Sequence, residues 1–281
     1  MKVLTLNVHA WIEEEAYEKL EILAKVIKQR DYDIIALQEV NQSITGKVCS
    51  HPTYYHPRDD IHDVFIKEDN YALKLVDYLN ELGCKYFWTW TASHIGYQRF
   101  DEGVAILSKE PISLSYGLLV SDEDSYESYL TRKTLIAKTT VRDEAITVVN
   151  VHLSWWKDYL NVHAFKHEWD LLNECLQNYT EERLVVLGDF NNDAEIRDEG
   201  YDYILYHSPF LEDTFVKAKN KTGEYTIERS IDGWAENKEG KRIDYIFVNQ
   251  EMIVRTHRVL FDGIFTPVIS DHYAIEAEIE L

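Results

Sequence analysis

Six short apolar runs in this chain end in, or lead out of, a residue drawn only from Asn, Asp, Glu and His. Asn7 closes the first run, Glu39 the second, and His152 ends ITVVNVHL. Asp189 and Asn191 end LVVLGDFN, Asp244 lies in KRIDYIFV, and Asp271 with His272 precedes the last run. An apolar run of strand length is buried on at least one face, so the residue at its end stands at the rim of the core, where loops gather. Taken singly, an Asn or Asp after a strand is most often a turn residue. Six converging on one rim would form a carboxylate, amide and imidazole cluster, a hard-donor environment suited to Mg²⁺ or Mn²⁺.

The remaining pattern supplies a scaffold. Residues 2–8 read as a strand, and Glu13 to Arg30 as an amphipathic helix through Ala16, Leu20, Leu23, Ala24 and Ile27. Residues 33–39 read as a buried strand and Asn70 to Leu82 as a second helix stopped by Gly83. Further strands fit 103–107, 134–141, 145–151, 184–188, 243–248 and 273–281, with a helix from Val162 to Gln177. No repeat or Pro/Gly-rich linker divides the chain, so one domain over residues 1–281 is expected. Strands outnumber helices and lie close enough for hairpins, which points to an α+β fold with helices covering paired sheets. Cys49, Cys84 and Cys175 are odd in number and form no CxxC, consistent with reduced, packed thiols.

Charge narrows the partners. Lys and Arg total 29 against 50 Asp and Glu, a net charge of −21. Duplex affinity depends on cations displacing counterions from phosphates, so nucleic acid is disfavoured. A small anion is not, because a metal ion can supply local positive charge. No apolar run approaches the roughly 18 residues of a membrane span, and the first residues lack a secretory pattern. A cytoplasmic protein with no membrane partner is expected, and a monomer. Seven Trp and nineteen Tyr are present, with Trp11, Trp88, Trp90, Trp155 and Trp156 near the polar-ended runs, where rings can serve as platforms for a substrate.

LTLNVHAW, IIALQEV, DEGVAILSK, VVNVHLSWW, VVLGDFNND, RIDYIFV and SDH occur in that order. As a set they resemble the endonuclease/exonuclease/phosphatase superfamily, from residue 2 to the C-terminus. The resemblance implies the deoxyribonuclease I-like, four-layer α/β/β/α sandwich and metal-dependent hydrolysis of phosphate esters. It implies Asn7, Glu39 and Asp271 as ligands of Mg²⁺ (or Mn²⁺). Asp189 and Asn191 match the pair that holds a second metal or orients water and phosphate. His272 matches the catalytic histidine with Asp244 as its partner, and His152 a phosphoryl-binding histidine held by Glu102.

A general base must be neutral before it accepts a proton, so His272 is expected as neutral imidazole with Asp244 on its other nitrogen. His152, paired with Glu102, is expected as an imidazolium clamping a phosphate oxygen. Arg132 is a candidate phosphate clamp, with a surface salt bridge as the alternative. The HIGYQRFDEGVAILSK and NVHLSWW blocks resemble the acidic bacterial branch that contains maltose 6′-phosphate phosphatase. That branch implies a phosphomonoesterase acting on a small phosphorylated sugar, with Trp155 and Trp156 as sugar contacts. The alternatives are a Mg²⁺-dependent nuclease acting on DNA and a non-catalytic binding protein on the same fold. The latter is disfavoured because every matched position carries a residue able to do the chemistry.

Overall fold

The computed structural model describes residues 1–60, 64–157, 163–231, 234, 237–249 and 252–281. In chain order the elements begin with β1 (Lys2–Asn7), α1 (Ala16–Arg30), β2 (Ile34–Ser43), α2 (Tyr71–Glu81), β3 (Phe87–Gly96) and β4 (Phe100–Ser108). β5 (Leu114–Leu119), β6 (Lys133–Val141), β7 (Glu144–His152), α3 (Ala164–Leu176), β8 (Arg183–Asp189) and α4 (Gly200–His207) follow. The last are β9 (Leu211–Asp213), α5 (Thr214–Lys217), β10 (Asn220–Thr222), β11 (Asp244–Asn249), β12 (Ile253–Leu260) and β13 (Ala274–Glu280).

Period-two alternation sorts these strands into two mixed sheets, ordered β10-β12-β13-β1-β2-β4-β3 and β5-β6-β7-β8-β11-β9. One apolar set, including Val3, Ile34, Ala36, Ile106, Val148, Val185 and Leu187, fills the space between the sheets. The alternate residues Leu4, Leu6, Ile35 and Leu37 face outward against Leu20, Leu23 and Ile27 of α1 and Leu75 and Leu79 of α2. On the other side Val149, Val151 and Val186 are covered by Phe165, Trp169 and Leu172 of α3. The result is the α/β/β/α sandwich expected from the sequence. None of the described helices is long and apolar enough to cross a membrane.

The same alternation aims the site. Val3, Thr5 and Asn7 share the inner face of β1, and Val148, Asn150 and His152 that of β7. Val185, Leu187 and Asp189 do so on β8, and Asp244, Ile246 and Val248 on β11. Register sets His152 opposite Asp189 and Asp189 opposite Asp244, so several inward polar residues emerge at one end of the sandwich.

Several boundaries differ from the sequence reading. α1 starts at Ala16, with Glu15 in a left-handed conformation, whereas α2 starts as expected after Asn70, whose side chain accepts from Ala72 N and Leu73 N. β3, β5, β9, β10 and β12 and the helices α4 and α5 were not anticipated; Trp88 and Trp90 had suggested an aromatic platform, yet they are core residues of β3. Val162, the expected start of α3, lies outside the described residues. The three cysteines are free but half-buried, less enclosed than expected.

Asn150 makes a polar tie between the sheets that lies beneath the rim. Asn150 accepts from Gln38 Nε2 at 2.6 Å and donates to Leu37 O at 2.9 Å and Ala105 O at 2.7 Å. Asn150→Leu removes three buried hydrogen bonds, leaving Gln38 Nε2 with Thr5 Oγ1 at 3.1 Å, and should cost about 3 kcal/mol. The check is a lowered denaturant midpoint with an unchanged slope; an unmoved midpoint would show that the tie contributes nothing.

Candidate active site

Glu39 reaches the rim through a break in alternation. The pairing of β2 with β4 shifts between Leu37 and Val40, and Glu39 has φ 50°. Leu37 and Val40 both face the helices, so the two residues between them share the inner side. Gln38 joins the inter-sheet tie and Glu39 meets Asn7. Strict alternation would have turned Glu39 under the helices. β2 also continues to Ser43, so Glu39 marks a bulge, where the sequence had suggested a strand end.

Asn7 donates to Glu39 Oε1 at 2.9 Å and to Asp189 Oδ2 at 3.1 Å, tying together carboxylates from the two sheets. Its own Oδ1 accepts from His9 N at 3.1 Å. The residue expected as a metal ligand is thus arranged to organise the ligands around it. Ser270 Oγ donates to Asn7 O at 2.7 Å, securing the loop that presents Asp271 and His272.

His272 Nδ1 lies 3.0 Å from Asp244 Oδ2, the pairing expected, and its Nε2 lies 3.7 Å from Asp189 Oδ2. Burial opposes a charge on this ring, but Asp244 and Asp189 overcome it and hold the pKa well above the ordinary histidine value. This direction runs against the neutral resting imidazole expected from the sequence. Burial in turn pushes Asp189 up to about 7, against the pull of His272. Glu39 is pushed up to about 8, first by burial and then by the nearby charges of Glu102 and Asp271.

The expected pairing of His152 with Glu102 is not formed. Glu102 Oε1 lies 3.2 Å from His94 Nε2, and His94 Nδ1 lies 3.0 Å from Thr131 O. Burial works to raise the Glu102 pKa, but His94 holds it below the usual carboxylate value. His152 instead sets Nε2 3.7 Å from Asp189 Oδ2. Burial, then the charges of Arg132 and His94, keep its pKa well below normal, so it is neutral and not the expected imidazolium.

Arg132 is 4% exposed and makes no ion pair among the described residues, and its Nε is buried without a partner. The surface salt bridge considered from sequence is therefore absent from its described surroundings. The guanidinium lines a cavity of about 240 Å³ shared with Glu39, Asp189, Asp271, His272 and Trp155. Asn191 also lines it; its φ is 51°, and its Nδ2 donates to Leu153 O at 3.0 Å. Trp155 continues into an adjoining groove of about 620 Å³ with Trp156 and Trp234, and Trp156 leans on Phe165 and Tyr203.

Sequence reasoning missed His9, His94, Tyr97, Tyr129 and Trp234. His9 stands two residues past Asn7 in LTLNVHAW, a signal that was legible. Its Nδ1 lies 2.8 Å from Glu13 and 3.8 Å from Asp271. Burial opposes its charge, but these carboxylates raise its pKa to about 9.

The acidic pocket fits a divalent cation. Glu39 Oε2 is buried with no hydrogen-bond partner, and its pKa is raised first by burial and then by the negative charges of Glu102 and Asp271, both of which a bound cation would offset. Among the described residues two clusters of ligand-type side chains are present, Asp189 with Asp244 and His272, and His9 with Glu13 and Asp271.

Two packed mixed sheets with helices outside, and a carboxylate–histidine cluster at one end, define a protein of the deoxyribonuclease I-like fold. The chain belongs to the endonuclease/exonuclease/phosphatase family, whose signature matches residues 13–272, and whose members are hydrolases of phosphoesters that generally use divalent metals. A family protein from Leptotrichia buccalis is 33% identical, each chain covered over 100% of its length, with a TM-score of 0.84. A mannosyl-6-phosphatase from Bacteroides thetaiotaomicron is 17% identical with a TM-score of 0.69, both chains again covered over 100%. Truncated TDP2 from Caenorhabditis elegans is 18% identical with a TM-score of 0.63, covering 100% of this chain and 97% of that one. No curated protein matches the sequence significantly.

Proposed function

We propose that this protein is a Mg²⁺-dependent phosphomonoesterase that releases phosphate from a small phosphorylated sugar, acting as a cytoplasmic monomer. The observation that carries this reading is Arg132, a buried guanidinium without an ion pair among the described residues, lining a small cavity otherwise rich in acid. A buried cation of this kind calls for an anion, and its planar fork matches phosphate. The net charge of −21 argues against duplex DNA as the source of that phosphate. The Bacteroides neighbour's name gives the fold a precedent for a sugar-phosphate substrate. The adjoining groove suits a hydroxylated ring, because Trp155 and Trp234 each hold a buried indole N–H without a partner and Asn192 a buried carbonyl oxygen. Sugar hydroxyls both donate and accept, and so satisfy either kind of atom.

Glu39 and Asp271 would hold a divalent ion, which when bound would neutralise the phosphoryl oxygens and the negative charge developing on the leaving oxygen. Asp189, with a pKa of about 7, takes the proton of the attacking water. His272, fixed by Asp244, donates to a phosphoryl oxygen as an imidazolium, and Arg132 holds another. His152 adds a neutral N–H from the end of β7, while Asn191 orients the water.

The test is phosphate release with Mg²⁺, with and without EDTA, from sugar phosphates, nucleotides, nicked plasmid and abasic DNA. A sugar phosphate should far outpace any DNA, with EDTA abolishing turnover. DNA nicking at physiological salt with no phosphate released from any sugar phosphate would establish the nuclease alternative. Trp155→Ala should raise KM for the sugar phosphate by about tenfold, and less for p-nitrophenyl phosphate, which has no sugar to stack. Equal changes for both substrates would remove Trp155 from sugar contact.

A further inference from the structure

We infer that Glu168 is a positioning residue for this site, fastening the loop that leads from His152 to Trp155 so that the Trp155 indole faces the phosphate cavity. Glu168 lies on α3 and is 0% exposed. Its Oε2 accepts from Ser154 N at 2.8 Å and its Oε1 from Ser154 Oγ at 2.6 Å. Leu153 N donates to Asp189 O at 3.0 Å, and Leu153 O accepts from Asn191 Nδ2 at 3.0 Å. Ser154 O accepts from Asn192 Nδ2 at 3.2 Å. All backbone polar groups of Leu153 and Ser154 are therefore committed. Every partner but one comes from the end of β8 and the residues just after it; the exception is Glu168, reaching in from the helix layer.

The two residues so fixed are flanked by His152, near Asp189, and by Trp155, which lines both the cavity and the groove. Sequestering a carboxylate away from water is costly unless its lone pairs are satisfied. Glu168 spends both oxygens on one serine. A loop held only by β8 could still tilt toward or away from α3. The bond to Ser154 N removes that freedom, which sets how far the Trp155 indole stands from the cavity. Small displacements of a positioning group weigh heavily on substrate binding.

The kinetic arm of the test rests on the phosphomonoesterase reading; the exchange arm does not. Glu168→Ala should raise KM for the sugar phosphate about tenfold, with kcat within about threefold and KM for p-nitrophenyl phosphate within about threefold. Glu168→Gln should stay near wild type, because its amide oxygen can accept from Ser154 N while its NH₂ donates to Ser154 Oγ. Ser154→Ala, which removes only the hydroxyl bond, should give an intermediate rise and serves if Glu168→Ala fails to fold. Amide exchange at Ser154 should be protected in wild type and Glu168→Gln and fast in Glu168→Ala. Equal KM shifts for both substrates in a folded Glu168→Ala, or a Gln variant as impaired as the Ala variant, would overturn the inference. If wild type releases no phosphate from any sugar phosphate while Ser154 protection still depends on Glu168, the functional reading fails. The positioning role then stands, with its kinetics read on whichever phosphoester is hydrolysed.

Discussion

Glu39→Gln is expected to cut turnover by about 10³-fold and, in metal-free protein, to raise stability at pH 8. The sign follows from the direction of the shift. Glu39 has a folded pKa of about 8 against an ordinary 4.5, so the folded protein keeps a proton that the unfolded chain releases. Stability then falls as pH rises from about 4.5 to about 8, because the native state binds more protons in that window. Glutamine does not titrate and escapes the penalty, so its advantage should grow to about 1–3 kcal/mol by pH 8. Denaturant melts in EDTA at pH 5 and pH 8 read this directly. Full activity of the variant at low Mg²⁺, or a stability difference that ignores pH, would remove Glu39 from the proposed ligand set.

His272→Ala should lower kcat by about two to four orders of magnitude while KM moves less. In wild type, the rate should rise through about pH 7 as Asp189 loses its proton. It should fall again at higher pH, where His272 gives up the proton that Asp244 and Asp189 stabilise. The two groups face each other across 3.7 Å, so the limbs belong to the pair rather than to either residue. The variant should lose the alkaline limb. A pH profile left unchanged by the substitution would show that His272 does not carry the proton that matters.

Much of this arrangement is legible in the sequence because strands alternate. Alternation puts Asn7 on the face of Val3 and Thr5, and Asp189 on that of Val185 and Leu187, but which of the two apolar faces meets the other sheet is set by the fold. The His272–Asp244 pairing followed from the resemblance and is formed. Partner choice elsewhere was not legible. Whether Glu102 meets His94 or His152 depends on where β3 and β4 end relative to β7, which no local pattern encodes. β3 itself was obscured because its apolar side is built from tryptophan, a residue type equally at home in core and binding site. Protonation was misjudged for a related reason. His152 and His272 are both buried histidines at the rim; burial and then the cations Arg132 and His94 lower the pKa of the first, whereas Asp244 and Asp189 outweigh burial and raise that of the second.

The two residues between Leu37 and Val40 make chain length itself a determinant of chemistry. A chain lacking Gln38 would regain strict alternation in β2: Leu37 and Val40 would keep the helix side, and Glu39 would drop into the seat beneath Asn150. Such a deletant would retain every side chain of the rim cluster by name, yet its carboxylate would lie one step deeper, in the inter-sheet layer and away from Asp271. It should fold with a smoother β2–β4 ladder and do no work. In this chain a one-residue deletion would therefore silence the site as surely as a substitution, while leaving the composition of the rim untouched.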